Sequence, residues 1–238
     1  MTDIALNESL SSSYAQARER LSNALVAAGR AQDAARLLAV SKTKPAAMIR
    51  QVWQLGQREF GENYLQEALE KQTELADLDD IVWHFIGPLQ SNKTRAIAEH
   101  FDWVHSVDRL KIAKRLSEQR PTHLAPLNIC LQVNISREES KAGVLPEELE
   151  GLAKEVATLP NLHLRGLMAI PAPAQGVDAQ RQPLAALREA LTSLQSSLPN
   201  APLDTLSMGM SDDLEAAVLE GATLVRLGTA IFGARQSA

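Results

Sequence analysis

The stretch Leu37–Arg50, LLAVSKTKPAAMIR, decides how the rest of the chain is read. An apolar, strand-like run (36–42) ends in Lys42, with Lys44 one residue further on, Pro45 behind it and a helical segment, AAMIRQVWQLGQ, following. In an extended segment the two ammonium groups face the same side, and the residue before a proline is biased to stay extended. One reading of the pair is a solvated strand end. The other is chemical: a neighbouring cation lowers a lysine's pKa and favours the neutral, nucleophilic amine.

The same unit of strand, polar loop and helix recurs along the chain. After RLLAVSK come strand-like runs at 58–63, 81–89, 101–108, 127–136, 164–171, 204–211 and 222–233, separated by helical stretches such as DRLKIAKRLSEQR and PEELEGLAKEVATL. Alternation of this kind implies parallel strands joined by crossover helices. The runs are continuously apolar, as expected of strands covered on both faces. Eight units in 238 residues predict a closed (β/α)8 barrel forming one domain over 1–238, a size at which such barrels are commonly built (about 250 residues). A doubly wound open sheet is the competing arrangement. An amphipathic helix, YAQARERLSNALVAAGR, precedes the first strand with Leu21, Leu25 and Val26 on one face and Gly29 as its stop. The stretch PAPAQGVDAQRQP (171–183) reads as loop.

Bulk composition narrows the function classes. Lys plus Arg total 24 and Asp plus Glu total 29, a net charge of 24 − 29 = −5, with no basic block to serve nucleic acid or an anionic membrane. The single Cys130 forms neither an internal disulfide nor a metal cluster. The start MTDIALNESLSSS lacks the pattern of a secretory signal, and no apolar run reaches the roughly 18 residues of a membrane span. The expectation is a soluble, cytoplasmic protein without a metal.

In a barrel of this type active groups lie where strands end and βα loops begin. That rule collects Ser41, Lys42 and Lys44 after the first strand, Glu62 and Asn63 after the second, and His84 and Gly87 after the third. It adds His105 and Ser106, then Asn134, Ser136 and Lys141, then Ser207, Gly209 and Ser211, then Arg226, Gly228 and Thr229. The loops after strands seven and eight, SMGMSDD and RLGTAIFG, occupy the usual phosphate site of a barrel. Ser211 reads as the N-cap of DDLEAAVLEG, with Asp212 and Asp213 turned away from any phosphate. A phosphate site opposite a strand-end lysine suggests a phosphorylated aldehyde held as an imine.

The segments LLAVSKTKP, FGENYLQE, WHFIGPLQSNK, VNISREESKAG, RGLMAIP, LSMGMSDDLEAA and VRLGTAIFGAR, in this order from Leu37 to Arg235, resemble the pyridoxal phosphate homeostasis protein family, the YggS/PROSC-type binding proteins. The resemblance implies a single TIM barrel like the barrel domain of alanine racemase, a fold-type III arrangement, carrying pyridoxal 5'-phosphate (PLP) as an aldimine. Carried over by motif, AVSK makes Lys42 the Schiff-base residue and SKTKP makes Lys44 a residue lining the site. GEN places Asn63 near the cofactor ring and SKAG places Lys141 at the mouth. MGMS gives Ser211 to the phosphate, with Ser207 near the ring. RLGT gives Gly228 and Thr229 to the phosphate and Arg226 to the pyridine nitrogen or its surroundings. His84 joins the cofactor set, with a satisfied core histidine as its alternative reading.

Arg226 stands where an Asp would be needed to keep the pyridine nitrogen protonated; a donor-only group there makes the ring a weak electron sink. Racemases resembling this barrel take a tyrosine from a further C-terminal domain, which the sequence to Ala238 does not contain, and Tyr14 and Tyr64 are no evident substitutes. Lys141 and His105 remain as candidate bases. The resemblance thus implies a PLP carrier or regulator in vitamin B6 and amino-acid homeostasis, with apo PLP-dependent enzymes as recipients and a monomeric state. A weak amino-acid racemase is the alternative, and a PLP-free sugar-phosphate isomerase a third reading.

Overall fold

The computed structural model describes residues 3–139 and 141–234. The leading helix α1 (Asp3–Ala27) precedes β1 (Arg36–Val40), α2 (Ala46–Gln54), β2 (Glu59–Glu62), α3 (Leu65–Glu74) and β3 (Val82–Phe85). Then follow α4 (Thr94–His100), β4 (Trp103–Val107), α5 (Leu110–Gln119), β5 (Leu127–Gln132), α6 (Pro146–Val156) and β6 (Leu162–Met168). The chain continues with α7 (Val177–Ser197), β7 (Thr205–Ser207), α8 (Leu214–Leu219), β8 (Leu224–Leu227) and the short α9 (Thr229–Phe232). All neighbouring strands pair in parallel, and β8 closes on β1 through Arg36↔Leu224 to Ala39↔Leu227. The closed barrel is the architecture the repeated unit implied, and it excludes the open sheet.

Alternation along each strand divides inside from outside. Leu37, Ala39, Phe60, Trp83, Phe85, Val104, Ile129, Leu131, Leu206 and Val225 join the large core that packs the helices onto the barrel. The intervening Trp103, Cys130 and Met168 form a separate small cluster with Val82. The inward register therefore also carries Glu59, His84, His105, Ser207 and Arg226, an unusually polar filling. At Gly166 the strands approach so closely that a Cβ would sit 1.8 Å from the Thr205 carbonyl oxygen.

Strand limits differ from the sequence reading chiefly at C-terminal ends, where polar residues have already left the ladder. The first strand stops at Val40, and the run 222–233 is a four-residue strand followed by α9. The stretch 171–183 is not all loop: α7 starts at Val177 after Gly176 (φ +85°) and carries Pro183 inside it. Pro183 is the seventh residue of the helix, past its first turn, so its missing N–H leaves the Ala179 carbonyl without a helical donor. Among the described residues no helix is long and apolar enough to cross a membrane.

Candidate functional site

The first loop is shaped by the end of β1. Ser41 N–H still donates to the Gly61 carbonyl (3.0 Å), but Lys42 and Thr43 then form a turn closed by Lys44 N–H on Ser41 O (3.1 Å). Thr43 takes φ +67°, a left-handed conformation that costs a β-branched residue energy. The extended geometry expected for Lys42 and Lys44 is therefore overturned, and with it the argument that both face one side by strand alternation. Lys44 instead donates from Nζ to the Ala234 carbonyl (2.8 Å), tying the β1 loop to the segment after α9. Lys42 is half-buried at the turn itself.

Behind this turn lies a group the sequence did not reveal. Lys71, on α3, donates to Glu62 Oε1 (2.5 Å) and to the Ser41 carbonyl (2.8 Å), with Glu67 Oε1 at 3.3 Å. Glu62 is fully buried, and burial pushes its carboxyl up to about 7 against the attraction of Lys71. The pair clamps the peptide immediately before Lys42. A lysine in the middle of an ordinary helix carries no loop signal, so only the fold brings it here.

The loops after β7 and β8 meet β1 on the same side of the barrel, because β7, β8 and β1 are neighbours. Gly209 adopts φ +101°, and a Cβ there would lie 2.7 Å from the Ala217 Cβ, so the loop passes directly over α8. Asp213 accepts from Met210 N–H (2.8 Å) and is the residue that precedes α8. Ser211 is thus not the N-cap; it is exposed in the turn, and its carbonyl accepts from Arg20 of α1 (2.6 Å), which also pairs with Glu215. Gly228 brings the next loop against β1, with a Cβ position 3.2 Å from Val40 O. The first N–H groups of α9, at Thr229 and Ala230, have no helical acceptors by geometry and can receive an anion.

Deeper in, Arg226 is buried and donates from Nη2 to the Ala169 carbonyl (3.0 Å), while its Nε has no partner. Burial draws its pKa down to about 10, which leaves it cationic at neutral pH. Asn63, just past β2, has a buried Oδ1 without a partner. Its backbone is pressed on Gly87, where a Cβ would lie 2.2 Å from the Asn63 carbonyl oxygen. Ser207 is fully buried with Oγ 2.7 Å from His105 Nδ1.

His84 is corrected from the cofactor set to the barrel core. It is wholly buried, stacked on Trp103 at 5.4 Å, and both nitrogens are engaged, Nδ1 with His105 (2.8 Å) and Nε2 with Glu59 (3.2 Å). Lys141 sits on the loop after β5, half-exposed, with its ammonium 3.8 Å from Glu138. Lys42, Asn63, Ser207, Ser211, Arg226, Gly228 and Thr229 thus gather where β1, β2, β7 and β8 end; Lys44 is tied to Ala234 beside them, and Lys141 is on the loop after β5 near Glu138.

The sequence matches the alanine racemase N-terminal domain family over residues 19–236, nearly the full chain. A pyridoxal phosphate homeostasis protein of Pseudomonas aeruginosa is 63% identical over 226 residues, 95% of this chain and 96% of that protein. The chain belongs to the pyridoxal phosphate homeostasis protein family. The Escherichia coli member is 52% identical over 237 residues, covering 99% of this chain and 98% of its own length. Among solved structures, PipY of Synechococcus elongatus with PLP bound superposes with TM-score 0.79 at 41% identity, covering 90% of this chain and 100% of that one. Alanine racemase of Corynebacterium glutamicum shares the fold at 20% identity (TM-score 0.66, 94% of this chain and 62% of that one).

The site residues fit the cofactor named for these relatives. An amine at Lys42, the N–H groups without helical acceptors that open α9, and two orphaned buried polar atoms, Arg226 Nε and Asn63 Oδ1, suit a phosphorylated pyridine aldehyde.

Proposed function

We propose that this protein binds PLP as an imine with Lys42 and serves the intracellular homeostasis of that cofactor, holding it for storage or delivery to apo-enzymes. The observation that carries this reading is the convergence of Lys42 with the Gly209 and Gly228 loops at one end of the barrel, below which Arg226 keeps an unpartnered Nε–H. When bound, PLP supplies an electrophilic aldehyde carbon. The chain does the rest. The Lys71–Glu62 pair fixes the peptide before Lys42, and the free N–H groups at Thr229 and Ala230 with Ser211 receive the phosphate. Arg226, which only donates, meets an unprotonated ring nitrogen. A nitrogen held without its proton supports binding and weakens carbanion chemistry. The racemase alternative is not favoured: relatives that align over nearly their full length carry the homeostasis name.

The lone Cys130 is buried, and burial raises its thiol to about 12, so it has no redox role at the site. Helix α1 packs over α8 and α9. Titrating PLP into the native protein and into Lys42→Ala tests the reading by visible absorbance. After unbound PLP is removed, the native protein keeps a visible band that borohydride moves into the ultraviolet, and Lys42→Ala keeps none; a band undiminished in the variant sinks the assignment.

A further inference from the structure

A line of polar side chains crosses the barrel interior from the floor to the site. Arg36, at the start of β1, donates to Glu59 through Nε (2.7 Å) and Nη2 (3.2 Å). Glu59 Oε1 meets His84 Nε2 (3.2 Å), His84 Nδ1 meets His105 Nε2 (2.8 Å), and His105 Nδ1 meets Ser207 Oγ (2.7 Å). His84, His105 and Ser207 are each fully buried. At the far end the line opens beside Arg36 and Glu59 into a cavity of about 680 Å³ beneath α1.

Each link holds one proton, so one charged end sets the direction of all of them. Burial alone would raise the Glu59 carboxyl, but hydrogen bonds from His84 and Arg36 hold it down to about 2. It is a carboxylate and only accepts. His84 must then carry its proton on Nε2. Burial keeps both rings neutral, so His84 Nδ1 is a bare acceptor and His105 must donate to it from Nε2. His105 Nδ1 is in turn an acceptor, and the Ser207 hydroxyl must spend its proton there. What remains on Ser207 Oγ are lone pairs.

We infer that Glu59, His84 and His105 are positioning residues that fix Ser207 as a hydrogen-bond acceptor toward the bound ligand, which then supplies an N–H or O–H at that position. Ser207 on β7 is level with Leu224, and Arg226 stands two residues further along β8, so the two present opposite polarities at successive depths: one takes a donor and the other an acceptor. A ligand is oriented by the pair in a way that two donors would not achieve. The inference rests on PLP occupying the site, but the relay is a property of the ligand-free chain.

Two measurements test it, the first without ligand. Side-chain ¹⁵N spectra of the ligand-free protein are expected to show His84 and His105 both as Nε2–H tautomers. In Glu59→Gln, whose amide can donate or accept, that single pattern is lost. An Nδ1–H tautomer at His105, or a doubly protonated His84, overturns the inference. The second is a cycle of PLP binding. One hydrogen bond corresponds to about a fivefold change in Kd. Glu59→Gln is expected to weaken binding by that order in the native background and to have no further effect in Ser207→Ala. Equal losses in both backgrounds show that Glu59 acts on the fold and not through Ser207, and sink the proposal. If the native protein fails to bind PLP, the functional reading falls while the tautomer result still decides the relay.

Discussion

Replacing Lys71 with Met keeps the aliphatic stem and removes the ammonium that clamps the Lys42 turn. Its Nζ contacts Glu62 Oε1 at 2.5 Å and Ser41 O at 2.8 Å, with the Lys71 side chain 6% exposed and that of Glu62 0%. Removing one partner of a buried ion pair costs about 3–5 kcal/mol when the other charge has no escape. Glu62 has one, because it can take up a proton. Its folded pKa, about 7, already stands above the ordinary 4.5. Over that window the folded chain keeps a proton that the unfolded chain has released, so stability falls as pH rises and levels off above the folded pKa. In the native protein the fall ends near 7. In Lys71→Met the carboxyl is pushed higher and the fall continues, by about 1.4 kcal/mol per pH unit. Urea unfolding at about pH 7 and about pH 9 then shows the variant losing roughly 2.3 kcal/mol more than the native protein over that interval. Lys71→Met/Glu62→Gln, with nothing left to titrate, runs parallel to the native protein. If Lys71→Met itself runs parallel, the buried carboxylate reasoning is wrong.

Four further outcomes are expected. Gly209→Ala places a side chain at φ +101° and 2.7 Å from Ala217, costing about 1–2 kcal/mol for the backbone and about 1–3 for the overlap. Chemical unfolding and PLP titration of the variant should both register the change. Gly166→Ala drives a Cβ into the Thr205 carbonyl oxygen at 1.8 Å, so the β6–β7 pairing fails and the variant is recovered unfolded or insoluble, as circular dichroism would show. Burial depresses the pKa of His84 and, more strongly, His105 below 6.5; below that pH the unfolded chain gains protons that the folded one refuses, and stability falls as pH falls. His105→Gln removes one proton from that dependence, about 1.4 kcal/mol per pH unit in acid urea titrations. Cys130, buried with its thiol raised to about 12, should resist thiol reagents until denaturant is added; prompt labelling of the folded protein would contradict its placement.

The barrel was legible because its signal is repetitive: eight apolar runs, each ending in polar residues, admit few other topologies. The loop glycines and the position of the lysines after the first strand followed from the same rule, since residues at strand ends in a barrel share one face. What escaped was whatever depends on neighbours far apart in sequence. Lys71 lies on a helix 30 positions from the carbonyl it clamps. The relay joins residues of β2, β3, β4 and β7, and from the sequence His84 and His105 were two separate histidines at strand ends. The turn at Thr43 escaped for a local reason: its left-handed backbone is imposed by the Ser41 contacts on both sides and not by threonine's own preference. Ser211 was misplaced as a cap because α8 starts later than read, at Leu214, with Asp213 before it making no side-chain bond to the helix.

The central claim is that Lys42 is the amine that holds the cofactor. Loading the native protein with PLP, reducing with borohydride and mapping the modified peptide tests it most directly. The account predicts the pyridoxyl group on Lys42, within the peptide that begins LLAVS. A label on Lys44 or Lys141 instead, or no stable label, would contradict it.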